Sequence, residues 1–230
     1  MSSKAVPRRP KPRLYLATRV IEDPAAVKAE LAALLSAFDI AAVLLRLKPN
    51  DPRTMIACVK SLAPTIQAGG VAVLLEGQAE LVARSGADGA HLTGLAAFQE
   101  ALATLKPERI AGAGGLTTRH DSMSAGEAGA DYLLFGEPDA EGKRPAIEAI
   151  AERLQWWAEL FEPPCVGYAV SVEEAREFTL AGADFILVGE DIWADPRGPK
   201  VALAETEQAI AEAFAHGDSR ASTPTGTHVL

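Results

Sequence analysis

The sequence predicts an α/β fold, a single (β/α)8 barrel, and two observations carry this prediction. One unit occurs three times: a helix end, the triplet Gly-Ala-Asp and a short apolar strand, within residues 84–93, 127–137 and 180–190. A strand without polar alternation is buried on both faces, which is typical of a parallel sheet. The second observation is that eight apolar strands alternate with helical segments along a chain of 230 residues, the pattern and length of one such barrel.

The first four strand–helix units follow from apolar runs and helix-start signals. The predicted strands are 13–17, 40–46, 71–75 and 88–92, and the predicted helices are 24–37, 51–67, 78–85 and 95–105. Asp23-Pro24 and Asn50-Asp51-Pro52 each place a capping residue before a proline, a combination that begins helices. Gly86 is expected to end the third helix, because glycine adopts the left-handed conformation after a helix without a steric clash.

The last four units show the same alternation. The predicted strands are 109–112, 131–135, 164–168 and 184–188, and the predicted helices are 118–128, 145–160, 171–181 and 200–215. Ser171 followed by Glu174 predicts a capping box. Trp156 and Trp157 crowd one helix, where they either pack on the barrel wall or form a dimer contact. No Gly-x-Gly-x-x-Gly segment opens a helix after the first strand, which disfavours a dinucleotide-binding fold.

Composition and charge argue against several functional classes. The net charge of −9 and the sequence pI near 5.0 disfavour a nucleic-acid partner, because such proteins usually carry a basic stripe. No apolar stretch has the length of a membrane span or the pattern of a signal peptide, so no membrane partner is expected. Cys58 and Cys165 are isolated, which predicts reduced thiols in a cytoplasmic protein. We expect a disordered basic tail over 1–12, the barrel over 13–215 and a second disordered tail over 216–230.

Charged residues follow several predicted strands at the ends where barrels of this kind carry their active sites. Glu76, Glu137 and Glu190 come just past strands three, six and eight and would form an acidic mouth. Arg46 and Lys48 share one face of strand two, where they either bind an anion or form a salt bridge with one of these acids. Carboxylates that share a cleft raise one another's pKa or bind a cation. The acids therefore form either a site for a metal or a cationic ligand, or a set of solvated loop residues.

Two histidines are candidates for acid–base catalysis, because imidazole titrates near neutral pH. His91 ends strand four and points either into the barrel mouth or into its wall. His120 stands near the start of the fifth helix, where it is either a general acid–base residue or an exposed residue of the first turn.

Four segments carry a family resemblance: Arg13-Leu-Tyr-Leu16, Leu44-Leu-Arg-Leu-Lys48, Gly86-Ala-Asp-Gly-Ala-His-Leu92 and Ala128-Gly-Ala-Asp-Tyr-Leu-Leu-Phe-Gly136. On these segments the chain resembles thiamine phosphate synthase, a (β/α)8 family that also includes a thiazole tautomerase, over most of residues 13–193. The resemblance implies a transferase of thiamine biosynthesis that joins a pyrimidine diphosphate to a thiazole phosphate and releases pyrophosphate. It also implies Mg²⁺ as a cofactor, small phosphorylated molecules as ligands, and a possible homodimer.

The resemblance assigns roles to individual residues. Arg46 and Lys48 match the family's basic positions for the diphosphate, with Leu44 in place of a glutamine. Glu76 is the remaining candidate for a magnesium ligand, one residue out of register. The residues expected near phosphate groups lie after strand six and at the end of strand eight: Gly136, Lys143, Val188 and Gly189.

Other family motifs are altered, which makes the chain a divergent member. Glu76-Gly77-Gln78 stands where the family has Asn-Asp-Arg, and Thr93-Gly94-Leu95 carries no second acid. Tyr168-Ala169 replaces a Gly-Gly pair that approaches a phosphate, and Glu190 replaces a serine. Three interpretations stay open: an active synthase, a tautomerase-like isomerase, or a non-catalytic barrel that binds a thiamine precursor or a partner protein.

Overall fold

The structure, a computed structural model, describes residues 9–139 and 141–221. Eight parallel strands close into a barrel in which each strand pairs with its sequence neighbours and the last pairs with the first. This arrangement confirms the predicted (β/α)8 fold. Most of the two expected disordered tails, residues 1–8 and 222–230, lies outside the described residues.

The strands and helices alternate along the chain. The strands are β1 Arg13–Ala17, β2 Ile40–Leu45, β3 Ala72–Glu76, β4 Gly89–Thr93, β5 Ile110–Gly114, β6 Tyr132–Phe135, β7 Cys165–Tyr168 and β8 Phe185–Val188. The helices within the described residues are α1 Ala25–Ala37, α2 Pro52–Gln67, α3 Ala79–Ser85, α4 Leu95–Leu105, α5 Arg119–Glu127, α6 Ile147–Leu160, α7 Val172–Leu180, α8 Glu190–Ala194 and α9 Pro199–Ala221. None of these helices is long and apolar enough to cross a membrane.

The end of the chain differs from the sequence-based expectation. Helix α8 has five residues, too few for a hydrophobic period to reveal it. Helix α9 continues to Ala221, past the predicted end at residue 215, so residues 216–221, expected in the second tail, are helical. Gly217 lies inside this helix, because a single glycine costs only about 1 kcal/mol relative to alanine and does not by itself end a helix.

The glycines of the repeated unit stand where the helices end, as predicted. Gly86, Gly129 and Gly182 have φ values of +83°, +98° and +92°, in the region that glycine enters most readily. The capping box expected at the start of α7 forms only in part. The Ser171 hydroxyl accepts from the Glu174 backbone N–H at 3.2 Å, but the Glu174 carboxylate is used elsewhere, as described below.

Two apolar layers hold the barrel together. The inner layer fills the barrel and consists of Tyr15, Ala17, Leu44, Leu74, Tyr132, Leu134, Val166 and Leu187. The larger outer layer joins the strands to the helices. It contains Trp157, which is fully buried and stacks on Phe161 with 4.1 Å between ring centroids. Packing on the barrel wall is therefore the confirmed role of Trp157.

Strand β5 makes room for polar groups inside the barrel. A Cβ added to Gly112 would lie 2.1 Å from the Tyr132 ring, and one added to Gly114 would lie 1.8 Å from the Glu137 carboxylate. Real Cβ atoms do not approach other atoms this closely, so only glycine fits at these two positions while the neighbours stay in place. The two glycines thereby leave space beside β5 for the ring of Tyr132 and the carboxylate of Glu137.

Candidate active site

The first charged cluster lies at the carboxyl ends of β2, β3 and β8. Arg46 follows β2 directly, Glu76 is the last residue of β3, and Glu190 follows β8. The Arg46 Nε donates to the Glu76 carboxylate, with N–O distances of 3.2 and 3.3 Å to its two oxygens. The Arg46 Nη1 donates to Glu190 Oε2 at 3.3 Å. One cation thus partly neutralises two acids of the predicted mouth.

Burial and the two carboxylates act on Arg46 in opposite directions. The side chain is 27% exposed, and burial alone would disfavour the charged guanidinium. The charges and hydrogen bonds of Glu76 and Glu190 outweigh this effect and raise the pKa of Arg46. The guanidinium is therefore always charged, and an incoming anion has to replace its carboxylate partners rather than change its protonation.

Lys48 pairs with a different acid. Its Nζ lies 2.9 Å from Glu22 Oε1, and its side chain is 55% exposed. Leu47, between the two cations, is buried and forms an isolated bridge with Ile21. Arg46 and Lys48 thus stand near one strand end with separate partners, and their joint action on an anion remains a prediction.

A chain of four polar side chains crosses the barrel interior. The hydroxyl oxygens of Tyr15 on β1 and Tyr132 on β6 are 3.0 Å apart. The Tyr132 hydroxyl lies 3.0 Å from His91 Nδ1, and His91 Nε2 lies 3.0 Å from Glu137 Oε1. Because β1 and β6 are not neighbours, the two tyrosines can meet only inside the barrel. His91, at 1% exposure, therefore points inward beneath the mouth.

The available acceptors determine the direction of these hydrogen bonds. Burial raises the pKa of both Tyr15 and Tyr132 well above that of free tyrosine, so both hydroxyls are protonated near neutral pH. When Tyr15 donates to Tyr132, and Tyr132 donates to His91 Nδ1, both hydroxyl protons have acceptors. The reverse direction would point the Tyr15 proton into apolar side chains, which is costly. The Nε2–H of His91 then donates to Glu137 Oε1.

Glu137 is the outer end of this chain. Its side chain is 15% exposed, and its Oε2 is buried without a hydrogen-bond partner among the described residues. Glu137 is therefore mostly buried, whereas Glu190, the acid expected at the mouth with it, is 78% exposed, and the acidic mouth stays a prediction. The space above Gly114 and the imidazole of His91 hold the Glu137 carboxylate inside the barrel end.

Arg144 forms several hydrogen bonds that hold the loop between β6 and α6 in place. Its two Nη atoms donate to the Glu174 carboxylate at 2.9 and 3.0 Å, and it also donates to the carbonyl oxygens of Gly136 and Tyr168, each at 2.6 Å. Glu174 Oε2 accepts in addition from the Val170 N–H at 3.0 Å. In the segment after β7, the Glu174 carboxylate therefore already accepts the hydrogen bond of a backbone N–H.

A cavity of about 690 Å³ opens between the loops after β4, β5 and β6 and helix α6. Its apolar lining includes Leu116, Leu134, Phe135, Pro138, Pro145 and Ile150. Its charged lining includes Glu137, Lys143 and Arg153. Lys143 is exposed and forms no ion pair within residues 9–139 and 141–217. Arg153 donates to the carbonyl oxygens of Leu116 and Thr117 at 2.6 and 2.8 Å, and burial lowers its pKa.

The described side chains do not form a ready-made magnesium site. Among them, no group of three or more His, Cys, Asp or Glu residues could hold a metal ion. Glu76, the expected ligand, is ion-paired with Arg46, whose guanidinium competes for the same oxygens. A resident Mg²⁺ therefore does not fit the side chains present at this position.

The other predicted residues lie at different places in the barrel. Gly136 follows β6 with φ of +97° and lines the cavity. Val188 is the buried last residue of β8, and Gly189 follows it. His120 is exposed in the first turn of α5 and does not line the cavity. The structure thus brings His91 and Glu137 together and leaves His120 apart from them.

Sequence reasoning missed the tyrosines of the interior chain, although the sequence contains a signal for each. Tyr15 and Tyr132 stand within apolar strands, where a buried hydroxyl needs a hydrogen-bond partner. Gly112 and Gly114 alternate in β5, a spacing that marks small residues on one strand face. Neither signal states which strands meet across the barrel.

Known proteins resemble this chain in sequence and in fold. The profile of the thiamine monophosphate synthase family matches residues 14–192. A thiamine-phosphate synthase of Rhodospirillum centenum is 41% identical over 196 residues, which cover 84% of this chain and 95% of that protein. One of Hyphomonas neptunium is 37% identical over 211 residues, 88% of this chain and 95% of that protein.

Two solved structures share the fold at lower identity. Thiamine phosphate pyrophosphorylase from Pyrococcus furiosus superposes with a TM-score of 0.71 at 21% identity, covering 89% of this chain and 98% of that one. A 3-hexulose-6-phosphate synthase from Salmonella typhimurium superposes with a TM-score of 0.67 at 15% identity, covering 87% and 99%. Likeness at these identities concerns the fold alone.

Proposed function

Because the chain belongs to the thiamine monophosphate synthase family, we propose that it is an enzyme that synthesises thiamine phosphate. The observation that carries this proposal is its 41% identity to a thiamine-phosphate synthase across 95% of that protein. In the family reaction, a pyrimidine diphosphate is joined to a thiazole phosphate and pyrophosphate leaves. The barrel mouth then has to hold two rings and two anionic groups at once.

The diphosphate binds at Arg46. This guanidinium is charged, partly buried and located where β2 ends, so it can stabilise the negative charge of the leaving pyrophosphate. Glu76 and Glu190 occupy some of its donors in the free protein, and the diphosphate exchanges places with them. Lys48 adds a second positive charge at the same strand end after it leaves Glu22.

The thiazole phosphate binds with its anionic group near Lys143. This lysine borders the cavity and has no ion pair to break within residues 9–139 and 141–217. Gly136 lines the same cavity, while Val188 and Gly189 mark the strand end on the β8 side. The apolar walls take the rings and hold them next to each other, which accelerates their joining by proximity.

An assay of the purified protein with both substrates and Mg²⁺ tests the proposal. Pyrophosphate and thiamine phosphate are expected in equal amounts, and only when both substrates are present. Arg46→Ala should lower the rate, whereas Arg84→Ala, an exposed arginine in the last turn of α3, should leave it unchanged. Folded wild-type protein that releases no pyrophosphate above background would contradict the proposal. A thermal shift with thiazole phosphate in that case would indicate a binding protein.

A further inference from the structure

Glu137 has no part in the group transfer derived above, yet it lines the cavity. We propose that Glu137 is a specificity residue that accepts a hydrogen bond from an N–H group on the ring of the ligand, either an exocyclic amine or a protonated ring nitrogen. The inference rests on the proposed function only in placing a heterocyclic ligand in this cavity.

The first argument is an unsatisfied carboxylate oxygen. Oε1 of Glu137 is held by His91 at 3.0 Å, but Oε2 is buried and has no hydrogen-bond partner among the described residues. A buried acceptor without a donor is destabilising and calls for an explanation. The terminal torsion of glutamate is soft, so the carboxylate can turn toward the cavity without movement of the backbone. A donor on a bound ligand would then remove the penalty.

The second argument is that the interior chain makes Glu137 an acceptor. Tyr15 and Tyr132 keep their protons, and Tyr132 donates to His91 Nδ1. The remaining N–H of His91 therefore points at Glu137. The three residues behind Glu137 are positioning residues, since they orient the carboxylate and present its lone pairs. Such a site favours a ligand that donates and disfavours one that only accepts.

The third argument is the character of the surrounding wall. Leu116, Leu134 and Phe135 provide apolar surface for a flat ring. Lys143 lines the same cavity and, in the proposed function, meets the phosphate of the neighbouring thiazole. The cavity therefore suits a flat ring that presents an N–H donor beside a bound phosphate.

A pair of matched probes tests this assignment without any catalysis. Calorimetry on the full chain at neutral pH compares 4-aminopyrimidine with 4-methylpyrimidine, which has a similar shape and no N–H. The wild type should bind the amine about 10-fold more tightly, the effect of one hydrogen bond to a charged group. Glu137→Gln should reduce this preference to about twofold or less, because the amide presents a donor of its own. Glu148→Gln, an exposed acid in the first turn of α6, should keep it.

A second variant, Gly114→Ala, displaces the Glu137 carboxylate without removing it. The Cβ of Gly114→Ala would meet Glu137 Oε2 at 1.8 Å and His91 Nε2 at 2.7 Å, so it displaces the carboxylate together with the imidazole that holds it, while the Gly114 backbone does not need a positive φ. This variant should also lose the preference for the amine. Equal binding of the two probes by the wild type, absence of binding of the amine, or an unchanged preference in Glu137→Gln would each overturn the proposal. A failed pyrophosphate assay with a retained amine preference would contradict only the proposed function.

Discussion

Replacing Arg46 with alanine tests whether the cation at the end of β2 holds an anion. Glu76 and Glu190 lie 3.2 and 3.3 Å from the guanidinium in the free protein. An anion that binds Arg46 has to break these ion pairs, which lowers its net binding free energy. A hydrogen bond to a charged group contributes about 1.5–3 kcal/mol. Without Arg46, both carboxylates keep their charge and repel the ligand. The 27% exposure of Arg46 lets water screen part of each of these effects.

We therefore expect Arg46→Ala to weaken the binding of inorganic pyrophosphate by about 1.5–3 kcal/mol, or about 10- to 150-fold in Kd. Glu190→Gln should act in the opposite direction, because it removes a competing acid. Since Glu190 is 78% exposed, its ion pair is worth about 0–1 kcal/mol, so the affinity should rise by no more than about fivefold.

Isothermal titration with pyrophosphate, with and without Mg²⁺, measures both variants. Lys48→Ala is the matched control at the same strand end, and its loss should be smaller, since Lys48 is 55% exposed and pairs with Glu22 instead. Unchanged pyrophosphate affinity in a folded Arg46→Ala protein would refute the reasoning. The Arg46–Glu76 contact would then be a structural ion pair.

Three further predictions concern buried groups. Burial raises the pKa of Cys165 to about 12, so iodoacetamide should modify it only after unfolding; mass spectrometry showing alkylation of the native protein would contradict this. Burial also raises the pKa of the half-buried Asp191. Its contribution to the free energy of unfolding is therefore fully present below the unfolded pKa, where the carboxyl is protonated, and is lost as the pH rises through the folded pKa. Asp191→Asn should therefore raise Tm more near neutral pH than in acid, and an equal shift at both would be evidence against it. Tyr132→Phe leaves the Tyr15 hydroxyl and His91 Nδ1 without a partner and should cost about 1–3 kcal/mol in urea unfolding, more than Tyr15→Phe, which leaves the Tyr132–His91 bond intact.

The architecture was predictable because its signals are local. A glycine after a helix, an apolar strand and a capping residue before a proline each depend on a few neighbouring residues. The three Gly-Ala-Asp repeats therefore located the strand starts to within one residue, and Gly86, Gly129 and Gly182 do adopt positive φ. Helix α8 was missed for the same reason, since five residues carry too little pattern.

The charged end of β2 was predictable in part. Strand order places β3 beside β2 in any such barrel, so the proximity of Arg46 and Glu76 is expected from the chain order, and the structure shows them in contact. The participation of Glu190 depends on closure, which brings β8 around to β1. Lys48 pairs instead with Glu22, in the segment after β1, at 2.9 Å.

The sequence by itself determined the fold class, the order of the strands and which residues stand at their carboxyl ends, because each of these depends on local pattern and on chain order. Only the tertiary structure decided that Tyr15, Tyr132, His91 and Glu137 form one hydrogen-bonded chain. These residues come from β1, β4, β6 and the loop after β6, and they meet because closure of the barrel brings non-neighbouring strands face to face across its interior. Whether a carboxylate at a strand end is solvated or drawn inward depends on the volume opposite it, and for Glu137 that volume is left by Gly114 on a different strand.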